Sequence, residues 1–365
     1  DRFVNRKGQE YTLDELKRKD AAAWGETFGD KAASPKTSGE ILKDLQTTSP
    51  TFTANNGDGF TSKSPISLMK AVGRTKDVSR IIKSKRAYAD FSGGISMGQQ
   101  VLGTEAYKRV WRHEYGHFLD DNMAKTNPKW TAKKFISFKA VKDLASDTKI
   151  LEKQKSGIFG SELNSKTARK NAQKASEDFA KRRDIINKEI LKAQKDQGLG
   201  GADPKVLSKY IKDADPKELI DVLGIPAWKL DDKVMSEIAT AWEKKDVFEL
   251  LEKIPRKYAK GVNHASAIAG MQDTFESGTG GNVRIGFGHG KSYYTKGGKY
   301  LRHLKLVTQV GARKYNGYNT AQAFANWTEA LGAENPAQYA MFKRLWPETS
   351  KKFEGLIEDY ERGFK

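Results

Sequence analysis

The sequence predicts an α+β chain, mainly helical, and three observations carry that expectation. A run from Ala106 to Asn122 places apolar residues at helical spacing; short strand-like pieces cluster between about Ser62 and Gly98; and the stretch from Pro128 to Gly261 is rich in Lys, Ala, Glu and Asp, with little Gly at its centre. At 365 residues the chain is long enough for two or three compact units with a sizeable core. Hydrophobic residues make up 37% and charged residues 30%, and the mean hydropathy is −0.71. That is more polar than an average globular domain, but an aromatic fraction of 10% with seven Trp argues that much of it folds.

Residues 1–60 read as an extended N-terminal arm. A helical patch from Thr12 to Ala23 precedes a Gly/Ser/Thr/Asn-rich tract from Ala32 to Gly59, a composition that needs a partner surface to be ordered. The start, Asp1-Arg2-Phe3-Val4, has neither an initiator Met nor a secretory apolar region, so a processed chain or an internal portion of a longer one is expected. Residues 61–127 form a first lobe. There Ser79-Arg80-Ile81-Ile82 and Ala87-Tyr88-Ala89-Asp90-Phe91-Ser92, broken by Gly93-Gly94, predict a small sheet. Thr104 as N-cap, with Glu105 in the first turn, opens the helix that runs to Asn122. Residues 128–261 predict a long, basic helical insertion: Ser165 to Gln197 spells one charged helix, and Pro204, Pro216 and Pro226 punctuate shorter ones. Residues 262–365 form a second lobe, with a helix through Met271 to Phe275, a Gly-rich aromatic stretch from Gly278 to Gly298, and helices to the C-terminus.

Lys and Arg number 65 against 46 Asp and Glu, a formal net charge of +19. Such a surface favours polyanions: nucleic acid, an anionic membrane or the acidic face of a larger assembly. The absence of Cys removes disulfides, thiolate zinc clusters and Cys nucleophiles, so any metal chemistry runs on His and carboxylates. No apolar run approaches the ~20 residues of a membrane span.

His113-Glu114-Tyr115-Gly116-His117 is H-E-x-x-H inside the predicted helix. Residues i and i+4 share a helical face, so both imidazoles can reach one ion, and Glu114 can take a proton from a zinc-bound water. Val110, Trp111, Phe118 and Leu119 flank the pair, Gly116 leaves space beside it, and Asp120 and Asp121 can orient a ligand imidazole from behind. A catalytic zinc needs a third protein ligand. The candidates are His264, His289 and His303, with Asp273, Glu276 and Glu329 as the nearest carboxylates in helical stretches. His289 sits in Gly286-Phe287-Gly288-His289-Gly290, where glycines let the backbone approach a cleft, and Tyr293 or Tyr294 could donate to a developing oxyanion.

Over roughly residues 85 to 125 and 262 to 358, these pieces resemble the metallopeptidase-like (zincin) domain of tailed-phage minor head and head-morphogenesis proteins. The matching residues are the Tyr88 segment, His113 to Asp120, Ala269 to Phe275, Gly288-His289-Gly290 with Tyr293-Tyr294, Gln322-Ala323-Phe324-Ala325-Asn326, and Phe342 to Phe353 with Trp346-Pro347. The resemblance implies a zincin-like core split by the insertion, holding one divalent ion, zinc, through His113, His117, His289 and the residue at 322. In that family the last piece looks like E-x-F-A-N, whose Glu is the third ligand, and this chain has Gln322 there. A neutral amide is a poorer zinc ligand than a carboxylate, which weakens the metal and its water. Glu329, two helical turns further on, is a substitute ligand if the helix shifts.

The implied role is a phage virion-associated minor head or internal, ejected protein with impaired catalysis. Its partners would be portal, capsid or other internal proteins, with non-specific contact to packaged DNA, and its places the virion and the host cytoplasm before assembly or after ejection. The alternatives are an active zinc endopeptidase on virion or host peptides, and a basic DNA-contacting accessory using clusters such as Lys133-Lys134 or Lys181-Arg182-Arg183.

Overall fold

A computed structural model describes residues 2–4, 10–12, 40, 43, 59–60, 64–75, 80–84, 88–90, 94–98, 105–130, 135–159, 166–196, 203–259, 266–296, 307–310 and 313–364. Thr104, Lys133, Lys134, His264, His303 and most of the Ala32 to Gly59 tract lie outside them.

Most of the described chain is helical. A hairpin of β1 (Arg2–Val4) and β2 (Glu10–Thr12) opens it. The helical patch expected from Thr12 is corrected at its first residue, which pairs with Arg2 as strand; residues 13–23 are outside the description. Helix α1 (Ile66–Arg74) precedes β3 (Arg80–Ser84), β4 (Tyr88–Asp90) and β5 (Gly94–Gly98). Here Gly93-Gly94 does not end the sheet. Gly94 opens β5, which lies in the centre, parallel to β3 from Arg80↔Gly94 and antiparallel to β4 from Tyr88↔Ser96.

The HExxH helix is α2 (Glu105–Thr126). After a 3-10 turn at Ile136–Ala140 come α3 (Val141–Phe159) and α4 (Lys166–Asp196), the single long charged helix that its sequence spells. The prolines act as starts. Pro216 opens α5 (Pro216–Leu223), whose first-turn N–H groups of Lys217 and Glu218 donate to Asp215 at 2.9 and 3.0 Å. Next are α6 (Asp232–Lys244), capped by Asp231, a π-helical turn at Glu249–Lys253 and α7 (Ile254–Tyr258). The second lobe holds α8 (Ala269–Gly278), α9 (Lys291–Lys296), a hairpin of β6 (Val307–Val310) and β7 (Arg313–Asn316), then α10 (Gly317–Leu331), α11 (Pro336–Leu345) and α12 (Pro347–Glu361). The β6–β7 hairpin, register Val307↔Asn316, interrupts what the sequence predicts as helix only.

One continuous apolar core runs through both lobes and the 128–261 stretch, from Phe60 through Trp111, Leu144, Ile190 and Trp242 to Trp327 and Phe353. The end of the N-terminal arm joins it: Phe60 is buried edge-on against Tyr115, and Arg112 donates to the Gly59 carbonyl at 2.8 Å. Here the arm docks on its own chain, because Phe60 finds an apolar slot between α2 and α10. Asp147 of α3 caps α12, accepting from the N–H and hydroxyl of Thr349 at 2.8 and 2.7 Å. Lys70 of α1 pairs with Glu361 at the end of α12 at 2.7 Å.

Helices α2 and α10 lie against each other where Gly116 faces Ala325; a Cβ on Gly116 would sit 2.7 Å from the Ala325 Cα. The contact is backbone on backbone, so it cannot yield by a side-chain rotation. We expect Gly116→Ala to destabilise the protein by about 1–3 kcal/mol through overpacking, despite the better helix propensity of Ala. Gly355→Ala on α12, where the added methyl meets nothing within 4 Å, should instead be neutral or stabilising by up to about 1 kcal/mol. Urea unfolding of the two variants reads the opposite signs.

Asp120 of α2 is fully buried and accepts from the Ser137 N–H at 2.8 Å and the Ser137 hydroxyl at 2.6 Å. Burial pushes its carboxyl up to about 7. A raised carboxyl is protonated in the folded chain and ionised in the unfolded one between about pH 4 and 7, so its contribution is present at acid pH and lost as pH rises through that window. Thermal melts should therefore find the parent losing stability relative to Asp120→Asn between about pH 4 and 7, whereas an unchanged difference between the two would contradict a raised Asp120.

Candidate functional site

Helix α2 turns His113 and His117 toward α8 and α10. Their rings stand 5.0 Å apart, centre to centre, and nearly perpendicular at 86°. Burial holds His113 well below its ordinary value and His117 at about 4, and the neighbouring His289 lowers both further. Both imidazoles are therefore neutral near pH 7, the state in which a ring nitrogen keeps a free lone pair. From α10, the Gln322 amide nitrogen lies 3.1 Å from His113 Nε2. On the other edge of the same ring, Glu329 Oε2 lies 3.7 Å from His113 Nδ1. Glu329 also faces Arg109 at 3.6 Å, one turn before His113 on α2. It thus holds His113 from behind and is not placed as a substitute for the residue at 322.

His289 reaches the cluster from the glycine-rich loop. Its ring stacks on Tyr293 at 4.1 Å and 21°, and its Nε2 is 4.0 Å from Asp273 Oδ1. Asp273 of α8 is the hub of this side: it accepts from the Tyr294 hydroxyl at 2.6 Å and from the Asn326 amide at 3.0 Å. Asn326 also hydrogen-bonds the His113 ring. The loop itself is clamped by Gln272, whose Oε1 accepts from the Phe287 N–H at 2.9 Å. Behind it, Glu276 presses on Gly288 so closely that a Cβ there would fall 1.4 Å from its carboxylate. A side chain at 288 would require the Glu276 carboxylate to move aside.

Glu114, next to His113 on α2, lies near enough to Tyr293 and Tyr318 for its charge to add to the burial that raises both hydroxyls. It is buried, takes a hydrogen bond from the Ala89 N–H of β4, and is raised by burial to about 8. Tyr293 and Tyr318 share a hydrogen bond and pack edge to face at 5.0 Å, and Tyr318 stacks on His117 at 6.1 Å. Tyr294 is different from its neighbour. It is 1% exposed and its hydroxyl proton is committed to Asp273, so it serves as a buried strut and not as an oxyanion donor. Asp120 and Asp121 also have other partners than the imidazoles: Asp120 holds Ser137, and Asp121 pairs with Lys125 at 2.5 Å, because they lie a turn beyond His117 where α2 meets the Ile136 turn and solvent.

Of the residues expected at the site, His113, His117, His289 and Gln322 come together, with Tyr293 and Tyr318 closing one side. Among the described residues, no three His, Asp or Glu side chains are grouped as a cation would need. Among the described site atoms, His117 Nδ1, Gln322 Oε1 and Arg109 Nε lack a hydrogen-bond partner; the Gly290 N–H lowers the Glu276 carboxyl, which burial raises to about 7. Sequence reasoning missed Arg109, Tyr318 and Gln272. Arg109 precedes His113 by four residues and Tyr318 precedes Gln322 by four, a helical-face signal that was there to be used.

Compared with known protein families, with characterised proteins and with solved structures, the chain has no match.

Proposed function

We propose that the chain is a phage virion-associated minor head or internal protein whose zincin-like domain holds one divalent ion, zinc by donor type, with weak binding and impaired hydrolysis. The observation that carries the metal reading is the neutral His113/His117 pair, one turn apart on α2, with the Gln322 side chain against His113 Nε2. The donors fit in kind. Two imidazoles offer lone pairs, the orphaned Gln322 Oε1 lies beside them, and His289 is the fourth candidate. The small sheet with β4 at its edge, bonded to Glu114, supports the zincin-like reading of the core. The virion role rests on the resemblance of the motif pieces and their order.

Impaired hydrolysis follows from two residues. Gln322 brings no charge where a carboxylate is expected, so the site holds a dication less tightly. With its carboxyl raised by burial to about 8, Glu114 is ionised in only a minority of molecules at pH 7, which slows proton abstraction without abolishing it. A bound zinc would supply Lewis acidity, making a coordinated water more acidic. Tyr293 stacks on His289 and its hydrogen-bond partner Tyr318 stacks on His117, which supports Tyr293 as the hydroxyl available to a developing oxyanion.

Zinc titration against a chelator should find weak binding in the parent, tighter binding by tenfold or more in Gln322→Glu, and none in His117→Ala. Gln322→Glu should also gain hydrolysis of fluorogenic peptides, and adding Glu114→Gln should remove about 10²–10⁴-fold of that gain. No zinc in either the parent or Gln322→Glu would sink the metal reading. For the virion role, mass spectrometry of purified particles of the encoding phage should find this chain among their proteins; its absence from intact particles rules the role out.

A further inference from the structure

The outward face of α4 carries a row of exposed cations. Lys174, Lys181, Lys188 and Lys195 recur every seven residues, just under two helical turns, and Lys192 falls on the same stripe. All five are exposed. The inward face of the same helix is spent on packing, with Ile186, Ile190 and Gln194 buried. At 1.5 Å per residue the row is about 32 Å long, close to one turn of a nucleic-acid duplex.

The row is set apart from the helices that follow it. Lys166–Asp196 holds ten Lys and Arg against five Asp and Glu, whereas residues 203–258, also helical, hold eleven against twelve. Within Lys181 to Lys195 the two acids have partners of their own: Asp184 faces Arg183 at 3.8 Å, and Glu189 accepts from Lys209 at 3.0 Å and from Tyr210 at 2.6 Å. Glu189 is thereby held below the usual carboxylate range. Among the described residues none of Lys181, Lys188, Lys192 and Lys195 forms an ion pair.

We propose that this α4 row is a docking surface for a nucleic-acid duplex, gripping the phosphate backbone without reading sequence. A repeating row of compact ammonium groups matches a repeating polyanion. Base reading needs planar or bidentate donors and aromatic platforms, and the row has none. A membrane surface fits less well, since an interfacial helix buries a broad apolar face and that face of α4 already lies against α6; among its described side chains only Ile185 and Leu191 are large, apolar and exposed.

The test measures binding of a labelled mixed-sequence duplex to the full chain across a salt series. Three proteins are compared: the parent, a row variant (Lys181→Gln, Lys188→Gln, Lys192→Gln, Lys195→Gln), and a control that removes the same charge from exposed lysines outside α4 (Lys205→Gln, Lys212→Gln, Lys217→Gln, Lys233→Gln). Circular dichroism should be the same for all three. We expect the row variant to lose at least tenfold in affinity at low salt, and the slope of log K against log salt to fall by about 3 to 4, at about 0.9 per phosphate contact. The control should retain most of the affinity, and Lys→Arg at the four row positions should retain it too. Equal losses in row variant and control would mean net charge and not the row, and would overturn the proposal. So would an absence of duplex binding by the parent at low salt, or a row variant that loses binding to anionic vesicles or to an acidic protein while keeping the duplex.

Discussion

The spacing of α2 and α10 at Gly116 is the constraint on which the candidate site depends. His113 and His117 hang from one helix and Gln322, Asn326 and Glu329 from the other. The 3.1 Å approach of Gln322 to His113 exists because no side chain stands between the backbones. Glycine inside a helix weakens it by about 1 kcal/mol, yet here it allows five polar side chains to meet in the interior. The third wall, α8, adds Gln272, Asp273 and Glu276, and through them the position of the glycine-rich loop and His289.

So many buried polar groups would be unaffordable if all were charged and unpartnered. The interior resolves this in three ways. Arg112 donates to the carbonyls of Gly59 and Glu329, and Asp273 is satisfied by Tyr294 and Asn326. The imidazoles shed their protons, and Glu114 keeps one. Among the described residues Glu276 remains less well held, its buried oxygens facing the glycine loop with only the Gly290 N–H beside them.

Much of the local structure could be read directly. The extent of α2 and α4, the role of Pro216 as a helix start and the position of β3 and β4 follow from periodicity and from turn residues. Gly94 misled, because a glycine in a short central strand looks the same in sequence as one in a turn. The β6–β7 hairpin was hidden for a similar reason: Val307 to Asn316 is short, basic and flanked by helices. At the site, the H-E-x-x-H spacing reads as two imidazoles on one helical face, and the two rings are neighbours 5.0 Å apart. The parts that could not be read are those set by tertiary packing. Nothing in the spacing says that Tyr294 turns inward to Asp273 while Tyr293 faces His289, or that Asp120 is used up by Ser137. Glu329 was read as a substitute ligand from its distance along the helix. Its actual place, on the far edge of the His113 ring, depends on Arg109 being opposite.

His113 and Gln322 are 209 residues apart, and this separation has a consequence for the order of events during synthesis. At ~5–20 residues per second, about 10 to 40 s pass between the emergence of the first site helix and that of its partner. During that interval α2 has no α10 against Gly116, and the imidazole pair lacks the wall that carries Gln322. Closing so long a loop comes late in folding. Whatever chemistry the two imidazoles support is therefore withheld from the nascent chain and its neighbours until α10 has left the ribosome.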